Sequence, residues 1–94
     1  MKAETLVLPL KETRYVEGFD LFVTVQKADS HFGMSNYDYC IIIGSHGLEN
    51  EEDFVRHGGC MKYVRGEETF EIRIMRPNPE GQKGSVEIAV TKVR

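Results

Sequence analysis

The segment "GFDLFVTVQ", Gly18 to Gln26, decides the fold class of this chain. Its apolar residues recur at every second position, which is the period of a β-strand with one buried face. The inward set is Phe19, Leu21, Val23 and Val25, and the outward set is Asp20, Phe22, Thr24 and Gln26. We therefore predict a half-buried strand here, which needs partner strands elsewhere in the chain.

Other segments also read as strands: "ETLVLPL" (4–10), "YDYCIIIG" (37–44), "CMKYVRG" (60–66), "TFEIRIM" (69–75) and "GSVEIAVTKV" (84–93). "YDYCIIIG" is apolar on both faces at its end, which predicts a central strand with Tyr39 packed beside Ile41 and Ile43. The prolines and glycines of "RPNPEGQKG" (76–84) predict a turn between antiparallel strands, and "VRGEETF" (64–70) predicts a shorter one. Only "ENEEDFVRH" (49–57) could hold a helical turn. The pattern predicts one all-β domain over residues 1–94, an antiparallel β-sandwich or jelly roll of about six to eight strands.

Composition excludes several functional classes. The chain has 94 residues, 40% hydrophobic and 29% charged, as in an ordinary globular domain. A net charge of −3 gives no basic surface for nucleic acid, so no nucleic-acid partner is expected. No segment approaches the roughly 18 apolar residues of a membrane span, so no membrane role is expected. The N-terminus lacks a signal-peptide pattern, which predicts a cytoplasmic protein unless the chain is an excised extracellular domain.

A metal centre and a catalytic centre both find weak support in the sequence. Cys40, His46, His57 and Cys60 have the residue types of a Cys₂His₂ zinc site, but their spacing matches no compact zinc motif. Cys60 follows Arg56 and His57, which could activate its thiol, yet nothing in the sequence brings them together. We predict two reduced thiols, no metal, no cofactor and no enzyme activity.

The acidic run "ENEED" carries Glu49, Glu51, Glu52 and Asp53. It lacks the alternating oxygen ligands of an EF-hand calcium loop, so a solvated loop is the expected structure. Such a loop would attract a basic protein surface and make association sensitive to salt.

Polar and aromatic residues flank the central strand on both sides. Aromatic rings beside carboxylate and amide groups are suited to sugars, because the ring stacks on the sugar while polar groups bind its hydroxyls. The predicted ligand-binding residues are Asp29, His31, Asn36, Tyr37 and His46.

The segments "LFVTVQKADSHFGMS", "YCIIIGSHGLEN" and "FVRHGG" resemble the farnesoic acid O-methyltransferase-type domain, a small β-sandwich module. Asp29 and His31 match the end of its first motif strand, and 39–44 match its Tyr-Glu-Ile-x-Ile-Gly-Gly strand. Asn50 matches its loop, 55–56 its Ile-Arg pair, and 70–74 with 86–90 its closing hairpin. The resemblance implies a ligand-binding or interaction module. Methyl transfer is not expected, because the chain has no strand, glycine-rich turn and helix to hold a nucleoside cofactor.

Two functional hypotheses stay open. One is a non-catalytic module that binds carbohydrate or another small ligand through loops at one end of the sandwich. The other is a compact protein-binding factor, such as an inhibitor encoded by a phage or mobile element, that acts through its acidic loop. The oligomeric state is open too, because an exposed strand edge could pair with a second copy.

Overall fold

The computed structural model describes residues 2–28, 37–81 and 83–94, and these ranges form eight strands. The strands are β1 (Lys2–Pro9), β2 (Thr13–Val16), β3 (Leu21–Lys27), β4 (Tyr39–Gly44), β5 (Glu51–Val55), β6 (Cys60–Arg65), β7 (Glu68–Pro77) and β8 (Ser85–Lys92). In the described ranges one 3₁₀ turn, Pro79–Gly81, precedes β8, and there is no α-helix. Within those ranges no helix has the length and hydropathy to cross a membrane.

The strands form two four-stranded antiparallel sheets. Sheet 1 has the order β1-β8-β7-β6 and sheet 2 the order β2-β3-β4-β5. The chain passes between the sheets twice, after β1 and after β5, so each sheet is nearly a simple meander. The predicted fold class, an antiparallel β-sandwich, is confirmed with eight strands.

The core lies between the sheets and follows the two-residue period of the sequence. Every residue assigned inward in β3, β7 and β8 is fully buried: Leu21, Val23, Val25, Phe70, Ile72, Ile74, Val86, Ile88 and Val90. Tyr63 of β6 is the largest side chain in this core. Each such side chain contributes about 1.5–3 kcal/mol relative to an exposed position, so alternation alone accounts for much of the stability.

The central position of β4 is also confirmed. It pairs with β3 on one side and β5 on the other. Ile41 and Ile43 are fully buried, Tyr39 is buried beside them, and Tyr37 just before the strand stays exposed. On the opposite face, Cys40 is buried and Ile42 is half-buried. The apolar run of β4 thus contributes buried or half-buried side chains to both faces of sheet 2.

The acidic run is not the solvated loop that its composition predicts. Glu51, Glu52 and Asp53 belong to the edge strand β5, where they lie opposite residues 41–43 of β4. All three are exposed, so hydrogen bonding to β4 rather than burial holds them in the sheet. Charged side chains on an edge strand discourage pairing with another chain. The Asp53 carboxylate adds to this, because it accepts the N–H of Phe54 at 2.9 Å.

The short strand β2 is the other element that the pattern did not predict. It has only one buried residue, Val16, and it forms the second edge of sheet 2. Four residues with one buried position give too little alternation to recognise.

The two ends of the sandwich carry different connections between strands. The cleft end carries the connections β1–β2, β3–β4, β5–β6 and β7–β8. The other end, here called the Arg65 end, carries the β2–β3, β4–β5 and β6–β7 connections and both termini. The outer face of sheet 1 is charged, with Arg73 bound to Glu71 and Arg76 bound to Glu87. The outer face of sheet 2 is richer in aromatic residues, Phe22 among them.

Candidate binding sites at the two ends of the sandwich

An open cleft lies at the cleft end, between connections of both sheets. Its volume is about 730 Å³, inside the range of roughly 300–1,000 Å³ that small-ligand pockets occupy. The side chains on which its chemistry depends are Lys27, Asp38, Tyr39, His57, Asn78 and Lys83. We call this the end cleft.

Asp38 fixes one wall of the end cleft. Its Oδ2 atom accepts the backbone N–H of His57 at 2.7 Å. Its own N–H donates to the carbonyl of Val55, and its carbonyl accepts the N–H of Ala28, each at 3.0 Å. One residue therefore joins the ends of β3, β4 and β5, and a carboxylate makes the strongest of these bonds.

Asn78 fixes the opposite wall. It has a φ of +44°, a conformation that asparagine tolerates better than most residues. Its N–H donates to the carbonyl of Ser85 and its Oδ1 accepts the N–H of Gly84, both at 2.9 Å. These two hydrogen bonds join the two ends of the β7–β8 connection, which contains Lys83.

Two rings form the apolar part of the cleft. The rings of Tyr39 and His57 stack with centroids 6.3 Å apart and planes 30° apart. Burial raises the pKa of the Tyr39 hydroxyl, and the nearby Asp38 carboxylate raises it further. The hydroxyl is consequently protonated at neutral pH and available as a hydrogen-bond donor.

The charge of the end cleft is mostly positive. Lys27 and Lys83 are exposed, and neither forms an ion pair with a described residue. Asp38 is the only carboxylate among the described residues that line the cleft, and it already accepts a backbone N–H. Two ammonium groups therefore face a cleft with one partly satisfied carboxylate.

A second candidate site lies at the Arg65 end, on the outer face of sheet 2. The rings of Tyr15 and Phe22 are 4.9 Å apart, and His46 lies 5.0 Å from Phe22 and 6.1 Å from Tyr15. Asp20 joins them, because its Oδ1 accepts the Tyr15 hydroxyl at 2.7 Å and lies 3.6 Å from His46 Nε2. We call these three rings the aromatic cluster.

Arg65 holds the turn on which this cluster depends. Its guanidinium donates to the carbonyls of Phe19 and Asp20, both at 2.9 Å, and to Ser45 Oγ at 3.3 Å. It also pairs with Glu68 at 3.0 Å. Asp20 has a φ of +54°, so this residue is held in the left-handed region that non-glycine residues rarely adopt. A side chain of sheet 1 therefore positions the carboxylate that orients the rings on sheet 2.

Gly44, which has no side chain, leaves room for the Asn50 side chain beside the aromatic cluster. Gly44 lies opposite Phe22 in the sheet, and a Cβ at this position would collide with Asn50 Oδ1. The Asn50 side chain thus passes over β4 where any other residue would project. This explains why the β4–β5 connection can bring His46 back toward Phe22.

The surroundings of the aromatic cluster are negative. A hydrogen bond to Asp20 raises the pKa of Tyr15, and the charges of Asp20 and Glu17 raise it further, while Arg65 opposes them. Arg65 is engaged by two carbonyls, a hydroxyl and Glu68, so little of its charge remains for an external group.

The predicted ligand-binding residues do not assemble into one site among the described residues. Asp29, His31 and Asn36 lie outside the described residues. Tyr37 lies at the cleft end, where it packs against Phe54 with centroids 6.2 Å apart. His46 lies at the Arg65 end, beyond the whole six-residue length of β4, roughly 20 Å at the usual rise.

The four predicted partner-binding residues stay together. Glu49 precedes β5, and Glu51, Glu52 and Asp53 lie on it. All four are exposed, and none forms an ion pair with a described residue.

The two cysteines lie on different sheets, Cys40 in β4 and Cys60 in β6. Cys40 is buried on the outer face of sheet 2, where burial first and then Glu52 raise the pKa of its thiol. Cys60 lies at the start of β6, with Arg73 Nη2 3.8 Å from its sulfur. The two cysteines are free. Among the described residues, no group of three or more His, Cys, Asp or Glu is placed to hold a metal ion.

One member of the aromatic cluster, Phe22, was recognisable from the sequence pattern. Alternation places Phe22 on the outer face of its strand. Tyr15 and Asp20 could not be added, because β2 was not recognised and the turn depends on Arg65, 45 residues away.

No protein-family model, no curated protein and no solved structure matches this chain. The resemblance to the farnesoic acid O-methyltransferase-type domain stays a prediction, and function must be argued from the sites themselves.

Proposed function

We propose that this protein is a small non-catalytic binding module whose ligand site is the end cleft, and that the ligand is an acidic sugar or a sugar phosphate. The observation that carries the proposal is that Lys27 and Lys83, which form no ion pair with a described residue, line a cleft of about 730 Å³ whose walls are fixed by backbone hydrogen bonds.

The donors of the cleft favour an anionic, acceptor-rich ligand. Both ammonium groups can donate, and the side-chain nitrogen of Asn78 is a further donor, because Asn78 binds the N–H of Gly84 through its oxygen. The protonated Tyr39 hydroxyl adds a further donor. Against these stands one carboxylate, Asp38, so a carboxylate or phosphate with several hydroxyl groups complements the lining.

The shape of the site favours a ring-containing ligand of modest size. Tyr39 and His57 supply stacked rings, and Leu10 and Pro77 add apolar lining. Because Asp38 and Asn78 fix the two walls through backbone hydrogen bonds, little ordering of the loops is needed on binding.

The test is calorimetric titration of the protein with glucuronate, glucose 6-phosphate and glucose. Either anion should bind more tightly than glucose, and its affinity should fall as salt rises. Lys27→Gln and Lys83→Gln should each weaken anion binding about two- to fivefold, since exposed charge pairs contribute about 0.5–1 kcal/mol. Lys62→Gln, the same change on the outer face of sheet 1, is the matched control and should have no effect.

Equal affinity for glucose and glucuronate would refute the assigned ligand class. Absence of binding by all three compounds would refute the proposed site. The comparison of glucuronate with glucose 6-phosphate decides between a carboxylate and a phosphate.

A protein partner with a basic surface is the second candidate function. The observation that favours it is the exposed acidic run of Glu49, just before the edge strand β5, and Glu51, Glu52 and Asp53 on it, none of which forms an ion pair with a described residue. Such a row accelerates encounter with a basic surface and makes it sensitive to salt.

This second function can be tested with a decalysine peptide as probe. The double change Glu51→Gln and Glu52→Gln should weaken binding more than the same double change at the exposed Glu12 and Glu67. Equal losses would show only the general attraction of an acidic protein for a polycation and would contradict a site on β5.

A further inference from the structure

We propose that the aromatic cluster of Tyr15, Phe22 and His46, together with Asp20, is a docking site for a lysine or arginine side chain of a protein partner. This goes beyond the small-ligand function proposed above, and it concerns the opposite end of the molecule.

The rings provide the first part of the argument. Tyr15 is 42% exposed and the His46 side chain 69% exposed, while Phe22 is half-buried beneath them. Their centroids lie 4.9 to 6.1 Å apart at mutual angles of 43° to 79°. Rings that are close and mutually inclined present both faces and edges to one small volume, and a cation is attracted to the faces.

The carboxylates provide the second part. Asp20 Oδ1 is occupied by Tyr15 and His46, but its Oδ2 accepts no hydrogen bond from a described residue. Glu17 is exposed in the same turn, and Glu52 lies on the same outer face of sheet 2, opposite Ile42. Charge complementarity therefore selects a cationic group over a neutral one at these rings.

The rigidity of the site provides the third part. Arg65 holds the carbonyls of Phe19 and Asp20, and Tyr15 is held through its hydroxyl by Asp20. Asn50 fills the space above Gly44. Exposed aromatic side chains that are fixed in place contribute to binding at a small entropic cost.

The acidic row on β5 complements this site. A partner that places one cation between the rings can bring a neighbouring basic residue to Glu52, which lies two strands across the sheet from Phe22 and two positions along it. The same partner would use the rings for specificity and the carboxylates for rate of encounter.

The test is an NMR titration of aromatic and amide resonances with the peptide acetyl-Gly-Ser-Arg-Ser-Gly-amide. Its neutral counterpart has citrulline in place of arginine and keeps the shape of the side chain. The arginine peptide should give saturable shifts at the rings of the cluster, and the citrulline peptide should bind several times more weakly.

Variants then locate the contact. Tyr15→Leu should weaken arginine-peptide binding roughly two- to fivefold, the range expected for an exposed cation–ring contact. Asp20→Asn, which keeps an acceptor for Tyr15 but removes the charge, should weaken it by a similar factor. Tyr37→Leu is the matched control, because Tyr37 is equally exposed at 42% but lies at the cleft end.

Equal binding of the arginine and citrulline peptides would overturn the proposal. An equal loss in Tyr15→Leu and Tyr37→Leu would also overturn it, as would saturation of the cluster by glucose in place of the peptide. Glucuronate binding by Tyr15→Leu should be unchanged, so failure of this proposal is distinguishable from failure of the end-cleft function.

Discussion

Replacement of Arg65 by methionine tests how the Arg65 end is held together. Methionine keeps most of the length and apolar contact of arginine but removes its hydrogen bonds to the carbonyls of Phe19 and Asp20 and to Ser45. The Arg65 side chain is only 19% exposed, so these carbonyls are not simply returned to water.

The expected loss follows from the number of groups left without partners. An unsatisfied buried carbonyl costs about 1–3 kcal/mol, and partial access to water in a surface turn reduces this. For two carbonyls we expect a loss of about 2–3 kcal/mol in the free energy of unfolding. For a domain of this size, that corresponds to a fall in Tm of roughly 10–20 °C.

Urea unfolding followed by circular dichroism measures this loss, and thermal melts provide a second estimate. Arg76→Met is the control, because Arg76 is 54% exposed and its pair with Glu87 should contribute less than about 1 kcal/mol. NMR should also show that the rings of Tyr15 and His46 lose their fixed arrangement in Arg65→Met. Equal and small losses in the two variants would refute the role assigned to Arg65.

Two further predictions concern titratable groups. At pH 8, a thiol reagent should modify Cys60 quickly and Cys40 only after unfolding, because burial raises the pKa of Cys40 and covers its sulfur; equal rates in the folded protein would contradict this. Hydrogen bonds from Arg65 and Lys92 lower the pKa of Glu68 below its ordinary value of 4.5, so its stabilising contribution is present above that pH and lost on acidification. Unfolding experiments from pH 6 to pH 3 should show a small stability difference between the wild type and Glu68→Gln that shrinks as the pH falls, whereas a difference that grows would contradict the assignment.

The fold could be predicted because its core strands obey one simple rule. In β3, β7 and β8, one face meets the core and the other meets solvent, so hydrophobic residues must alternate. The residues assigned inward in these strands are fully buried, as the pattern predicts. The central place of β4 was visible for the same reason, since a strand between two others can bury both faces.

The edge strands could not be predicted from the same rule. Glu51, Glu52 and Asp53 are exposed on both faces of β5, so their sequence resembles a loop. What makes them a strand is backbone pairing with β4, a long-range contact that no local pattern records. The same holds for β2, of which only Val16 is buried.

The sites were still harder to predict, because each combines residues that are distant in the chain. The aromatic cluster needs Tyr15, Phe22 and His46 from three segments, and its turn needs Arg65 from the opposite sheet. The order of the strands also decides which loops share an end. Tyr37 and His46 flank the same strand in sequence and are for that reason at opposite ends of the sandwich.

The most direct test of the proposed function is an amide NMR titration of the isotopically labelled protein with glucuronate. The proposal predicts saturable shifts at the amides of Lys27, Asp38, Tyr39, His57 and Lys83, with the Arg65 end unchanged. No saturable shift, or shifts confined to the Arg65 end, would contradict the assignment of the end cleft as the ligand site.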